Sequence, residues 1–433
     1  MRIERRQNPA SSAALWVPAF WILTSDSLKG ASTWLTIIRT GALPPELPVA
    51  EGDPMNRIIG IGLLILALWI FSRRNLTWSE VLSGNRMLVF LYIFMGLSIL
   101  WAGFPYIAFK RWVRSAETIA MAALIVTEDD PLQAMESILR RCAYILLPLS
   151  FMLVKWFPSL SVEYNWAGVK EWNGVALQKN SLGTLCSFLL FYLIWSAYRK
   201  WRSGELFENK AWVYADAIVT AMGLYLMRGM RAYSVTAIVV LFLGLSLMFL
   251  FYWARNLAEW VMAHLKGLSI FLAALIVSWF STVRSLATLL GRNATLTGRT
   301  DIWNAVVDAA ARHPLLGYGF GSFWGMNIPS ANHILAALHV REAHCGYLDV
   351  YLNMGIAGLI IFLFFLLSVC GKIQMEFERD FDWGVFGLCN FVMILTNNIT
   401  EAYFFYSVFL WNLLIFLAVL LPSAGHAADQ ENG

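Results

Sequence analysis

The residues best suited to chemistry gather in one interval, Leu296–Gly358, which holds four of the six histidines: His313, His333, His339 and His344. It opens with Leu-Thr-Gly-Arg-Thr-Asp-Ile-Trp and passes through His-Pro-Leu-Leu-Gly-Tyr-Gly-Phe-Gly. It closes with Ala-His-Cys-Gly-Tyr-Leu-Asp-Val-Tyr-Leu-Asn-Met-Gly-Ile-Ala-Gly. A long polar interval in an otherwise apolar chain points to a functional loop. His344 stands just ahead of a strongly apolar stretch. Histidine titrates near neutral pH, so at a water–membrane boundary it can take the proton of an acceptor hydroxyl. Glu342 and Asp349 bracket it, and either can orient the imidazole through its other nitrogen. Asp349 equally suits the first turn of a helix, where a carboxylate is favoured. Arg299 carries a guanidinium that can grip a phosphate with two hydrogen bonds. It can equally structure the loop through Asp301 or Asp308. The histidine spacing matches no zinc pattern and no carboxylate cluster suggests a magnesium cage, so no metal and no cofactor is expected. No nucleophile elbow, P-loop or dinucleotide fingerprint is present.

These residues need a scaffold, and the composition names its class. Of 433 residues 59% are hydrophobic and 14% charged, with mean hydropathy +0.60; soluble domains carry about 25% charged residues. The 20 tryptophans and 29 phenylalanines suit interfacial aromatic belts. The apolar runs are continuous rather than alternating, which excludes a barrel. The reading is an all-α polytopic membrane protein of about twelve transmembrane helices. The expected spans centre on residues 13–24, 58–71, 87–101, 112–126, 142–157, 182–195, 212–227, 233–253, 267–283, 348–370, 383–395 and 406–421. The fourth contains Arg114 and Glu117, so it is either short or buries a charge pair. The five cysteines show no paired motif and read as small apolar filler. The N-terminal arginines 2, 5 and 6 precede no cleavage site, so the first apolar stretch reads as a span.

Four regions follow: an N-terminal bundle over 1–282, a partly helical external loop over 283–347 between the ninth and tenth helices, C-terminal helices over 348–422, and a polar, disordered tail over 423–433. The lysine and arginine distribution leans toward a cytoplasmic N-terminus and places the long loop outside. Basic residues remain on the outer side: Lys110 and Arg111, Lys170 and Lys179, and Arg228 with Arg231 in a short turn. An anionic ligand at that face is one reason to keep them; ordinary snorkelling charge is the other. Within the loop, Ile302, Val306, Val307 and Ala310 sit at helical spacing, predicting an amphipathic helix over 301–312 that ends at His313-Pro314. The glycines at 317, 319 and 321 predict a tight bend.

At these residues the chain resembles the family of O-antigen ligases and O-antigen and exopolysaccharide polymerases. The resemblance rests on Gly298, Arg299 and Trp303; on His313, Pro314, Gly317, Gly319 and Gly321; on Ala343 and His344; and on Gly355 and Gly358. Upstream it includes Gln178-Lys179-Asn180-Ser181-Leu182-Gly183 and the external Arg231. It implies a metal-independent, inverting glycosyltransferase of the bacterial inner membrane with its active site facing the periplasm. The donor is a glycan on undecaprenyl diphosphate, and the acceptor is another glycan or lipid A–core. Membrane lipid surrounds the protein, nucleic acid is no partner, and a chain-length regulator protein is a further partner. By the same resemblance Arg231 and Arg299, with Arg228 and Lys179 beside them, bind the diphosphate, and His344 is the catalytic base. Two positions depart from the family pattern. Cys345 stands where asparagine is usual, and no serine precedes Arg231, so Arg228 or Arg231 can be the binding residue.

Two products are open. Transfer to a lipid-linked repeat makes an exopolysaccharide or O-antigen polymerase; transfer to lipid A–core makes an O-antigen ligase. The form Gly-Arg-Thr-Asp-Ile-Trp leans to the polymerase. A polysaccharide transporter or flippase is the more distant alternative, disfavoured because no repeat relates the halves and no paired broken spans occur.

Overall fold

The structure is a computed structural model that describes residues 12–25, 30–41, 53–74, 76, 78–164, 168–229, 233–275, 278, 299–324, 340, 342–405 and 409–419. Helix dominates. Five described helices are long and apolar enough to cross a bilayer: Pro54–Arg73, Pro131–Trp156, Lys179–Ser203, Val235–Trp253 and Gly346–Arg379. Arg255–Ala263 and Leu265–Leu275, bent by 73°, make a sixth if the pair is one broken span. Shorter apolar helices cover Ala13–Thr24, Arg86–Trp101 and Phe409–Ala418. Described helix falls within each of the twelve expected stretches, but among the described residues five or six helices, not twelve, have the length and composition of a full span. Three of the others are short, and two carry several polar residues. Pro105–Val126 contains Lys110, Arg111, Arg114 and Glu117, and Phe381–Thr400 contains Asn390, Asn397 and Asn398. One element departs from an all-helical reading: an antiparallel hairpin pairs Val162–Tyr164 with Lys170–Trp172.

Burial separates the inner helices from those that face outward. Lys179–Ser203 is enclosed from Leu182 to Trp195 and packs on Pro131–Trp156, Lys210–Arg228, Val235–Trp253 and Phe381–Thr400. Pro54–Arg73 instead exposes Ile58, Ile61, Ile65, Leu68 and Trp69. A helix apolar on its outer face belongs against lipid. Ion pairs Arg199–Glu136 and Arg202–Asp382 tie the C-terminal end of Lys179–Ser203 to its neighbours. Its N-terminal end lies at the other pole of the bundle, and the polar loop gathers there.

The loop is woven into that pole by its backbone. The Arg299–Ala310 helix forms as its periodicity predicts, burying Ile302, Trp303, Val306 and Ala310. It stops in a turn in which the His313 amide donates to Ala310 O. The glycine segment then docks between the Ser98–Phe104 corner and the helix that follows. Ser98 Oγ accepts from the Phe320 amide at 2.8 Å, Ser322 Oγ accepts from the Phe104 amide at 3.0 Å, and Asn353 Oδ1 accepts from the Gly321 amide at 3.0 Å. Arg111, on Pro105–Val126 just ahead of the fourth expected span, donates to the carbonyls of Gly321 and Trp324. At Gly319, φ is +86°, and a Cβ would stand 2.7 Å from Ala102 Cα. Gly319→Ala is therefore expected to lose about 1–3 kcal/mol from backbone strain, before the clash is counted. A lowered melting temperature checks this.

The Gly346–Arg379 helix has 34 residues, about 51 Å at about 1.5 Å each, against a bilayer core of about 30 Å. The excess is accounted for by a break at Gly355, with φ 64° and ψ −164°. There the Ile356 and Ala357 amides turn to the carbonyls of Pro314 and Leu315. The first turns, up to Met354, thus belong to the loop domain, and the remainder spans.

Candidate active site

His344 is fixed from both sides along the chain. Ala343 O accepts from Trp303 Nε1 at 3.1 Å, and the Ala343 amide donates to Asp349 Oδ1 at 3.3 Å. Asp349 Oδ1 also accepts from Trp324 Nε1 at 2.7 Å. Asp349 is therefore a buried fastener of the loop, not the orienter of the imidazole. Cys345 is the N-cap of the following helix and offers no side-chain cap bond; its buried thiol is pushed up to about 12 by desolvation. Between these anchors His344 adopts φ 47°, a left-handed conformation costly for a residue with a Cβ. Such strain persists only where the surroundings dictate it, and it concentrates at functional sites.

The imidazole faces carboxylates. His344 Nδ1 lies 3.1 Å from Glu342 Oε1, off the axis of a good hydrogen bond, and 3.9 Å from Glu401 Oε2. Burial on its own lowers the histidine's pKa; contact with Glu342 and Glu401 and their charges outweigh it and push the group up to about 9. Glu401 is the centre of the cluster. Its side chain is 1% exposed, and its Oε1 accepts from Arg299 Nη2 at 2.7 Å and from Asn180 Nδ2 at 2.8 Å. Gln178 Nε2 stands 3.5 Å from Glu342 Oε1, and Ser181 Oγ and Tyr403 OH are 3.4 Å apart. The start of Lys179–Ser203, the loop helix, the His344 turn and the end of Phe381–Thr400 thus converge on one polar knot.

Of the residues picked out in the sequence, Arg299, Glu342, His344 and Asn180 come together. Arg299 pairs with Glu401 rather than with Asp301 or Asp308. Lys179 pairs with Glu171 on the hairpin at 2.7 Å. It also lines a small adjoining cleft with Trp172, Leu226, Met227, Gly229 and Tyr233. Arg228 is exposed at the end of its helix, beside that cleft. His313 is exposed and stacks edge-on against Tyr318. Arg231, Gly298, His333 and His339 lie outside the described residues. Sequence reasoning missed Glu401. The available signal was Asn-Asn-Ile-Thr-Glu (397–401), a polar run closing an apolar helix.

Glu342, His344 and Glu401 each offer one ligand atom, all within 4.8 Å of one another. A divalent cation there would face the Arg299 guanidinium bound to the same carboxylate. The set suits a proton shared by an imidazole between two carboxylates better than a metal. Chemically, the knot offers a fixed cation for an anionic leaving group and a basic nitrogen beside it.

Two comparisons bear on this arrangement. Residues 220–363 match the family model Wzy_C, described as O-Antigen ligase, an interval that contains Arg228, Arg299, Glu342 and His344. The chain is also similar to the Exopolysaccharide production protein ExoQ of Rhizobium meliloti (strain 1021). It is 21% identical over 359 residues, which cover 76% of this chain and 79% of that protein.

Proposed function

We propose that the chain is an O-antigen ligase-related membrane protein that transfers glycan from undecaprenyl diphosphate to a hydroxyl acceptor at the periplasmic face of the inner membrane. The observation that carries the reading is the shared carboxylate: Arg299 and His344 meet at buried Glu401. The acceptor oxygen attacks the anomeric carbon as His344 Nε2 takes its proton, with Nδ1 held toward Glu342. The bond from that carbon to the diphosphate breaks, and the departing oxygens meet the Arg299 guanidinium. Direct displacement inverts the anomeric centre. Arg228 or Arg231, together with Lys179, receives the rest of the diphosphate. The name of the similar rhizobial protein favours exopolysaccharide polymerisation; the family description keeps transfer to lipid A–core as the second reading.

In this scheme arginine charge does what a metal does elsewhere. EDTA is therefore expected to leave transfer by the purified protein unchanged. Loss of transfer that a divalent ion restores would reassign Glu342, His344 and Glu401 as ligands. The deciding experiment complements a deletion strain with wild type, His344→Ala or Arg299→Ala at matched membrane expression. Secreted polysaccharide and lipopolysaccharide are then blotted. Collapse to single repeats on lipid identifies a polymerase. Long chains that stay on the carrier lipid identify a ligase. Long chains unaffected by either substitution would sink the enzymatic reading.

A further inference from the structure

Glu401 falls outside the matched family interval and outside the sequence pattern, yet three elements of the site close on it. Its backbone carbonyl also accepts from the Gly346 amide at 2.9 Å, so it holds the helix that His344 precedes. Its two carboxylate oxygens differ. Oε1 is saturated by Arg299 and Asn180, whereas Oε2 has no hydrogen-bond partner among the described residues and lies 3.9 Å from His344 Nδ1. A bare oxygen on a carboxylate this buried is costly unless something uses it.

We infer that Glu401 is a positioning residue that serves both halves of the transfer reaction: Oε1 aims Arg299 at the leaving diphosphate, and Oε2 supports the imidazolium that His344 becomes. The inference rests on the reading above. With Nη2 committed to Glu401, the remaining guanidinium N–H groups of Arg299 are left in a fixed orientation for anionic oxygens. As His344 accepts a proton at Nε2, positive charge develops beside Oε2. A shift of about 1 Å would bring Nδ1 into hydrogen-bond range. The charged groups around His344 are Glu342 on its own turn, Glu401 from the facing helix end, Asp349 from the helix that follows, and Arg299, which opposes the carboxylates.

The test uses the full chain in lipid nanodiscs with a lipid-diphosphate-linked glycan donor, and reads kcat, donor KM and pH profile. Glu401→Gln keeps an oxygen for Arg299 and Asn180 but loses the charge. It should lower kcat about tenfold and move the pH midpoint down by about one unit. Glu401→Asp keeps the charge and should keep the midpoint while raising donor KM, since Arg299 is drawn back. A purely structural Glu401 would lower the melting temperature of both variants and leave both midpoints at the wild-type value, which overturns the inference. If Glu401→Gln does not assemble, an Asp variant with a shifted midpoint also overturns it. His344→Ala serves as the control for the parent reading. Full activity in that variant defeats the transfer scheme itself, whereas an inactive His344→Ala beside an unmoved Glu401→Gln midpoint defeats only the role of Glu401.

Discussion

Alanine at His344 is expected to slow glycan transfer by about 10²- to 10⁴-fold, the usual contribution of a positioned base. The remaining rate should no longer rise with pH. The sign follows from the carboxylates. Glu342 and Glu401 hold the imidazolium in place, so the base form is released only as pH approaches about 9. Wild-type kcat/KM should therefore climb by about tenfold per pH unit below that midpoint and level off above it. The same ionisation bears on stability. The folded pKa, about 9, lies above the ordinary value of 6.5, so protonated His344 stabilises the fold fully below pH 6.5. That contribution fades as pH rises through about 9. Melting temperatures taken at pH 6 and pH 9.5 should fall more in wild type than in His344→Ala. A pH-independent wild-type rate, or a variant that keeps the alkaline rise, would remove His344 from the role of base.

Much of this site was legible in the sequence because it is built from local pattern. The amphipathic Arg299–Ala310 helix, its stop at His313-Pro314 and the glycine bend all follow from residues within a few positions of one another. Their backbone signals do not depend on distant partners. What escaped was long-range. Arg299 has acidic residues close by in sequence, yet it takes its partner from Glu401, on a helix end after the next span. Nothing in local spacing distinguishes that carboxylate from an ordinary helix terminus. Asp349 reads equally in the sequence as an orienter of the imidazole or as a first-turn carboxylate, and it stands in the first turn. As a carboxylate just beyond a histidine it invites a dyad, but helical geometry turns it inward to Trp324 and the Ala343 amide. Glu342, two residues ahead of the histidine, is the carboxylate of its own segment that approaches the ring. The span count shows a different limit. Arg111, Asn397 and Asn398 lower the hydropathy of their helices while Arg111 anchors the loop, Asn397 donates to Thr184 on a facing helix and Asn398 accepts from the Tyr403 amide beyond its own helix. Composition alone reads those duties as weak membrane character.

Arg299→Ala should be the most damaging single change, because it acts on both function and fold. Removing the guanidinium leaves Glu401, 1% exposed, without its positive partner. Breaking one side of a buried pair costs about 3–5 kcal/mol. Loss of the leaving-group contact should separately reduce transfer by about 10²- to 10³-fold, as deletion of a preorganised charge donor does elsewhere. A double substitution separates the two effects. In Arg299→Ala/Glu401→Gln the stranded charge is gone, so melting temperature should recover most of the loss, while transfer remains low because nothing faces the diphosphate. Arg299→Lys completes the argument. It keeps the charge for Glu401 but not the fork, so it should fold near normally and still bind the lipid-linked donor weakly. If stability and transfer recover together in the double variant, Arg299 is a structural cation only, and the diphosphate must be met by other basic residues of that face.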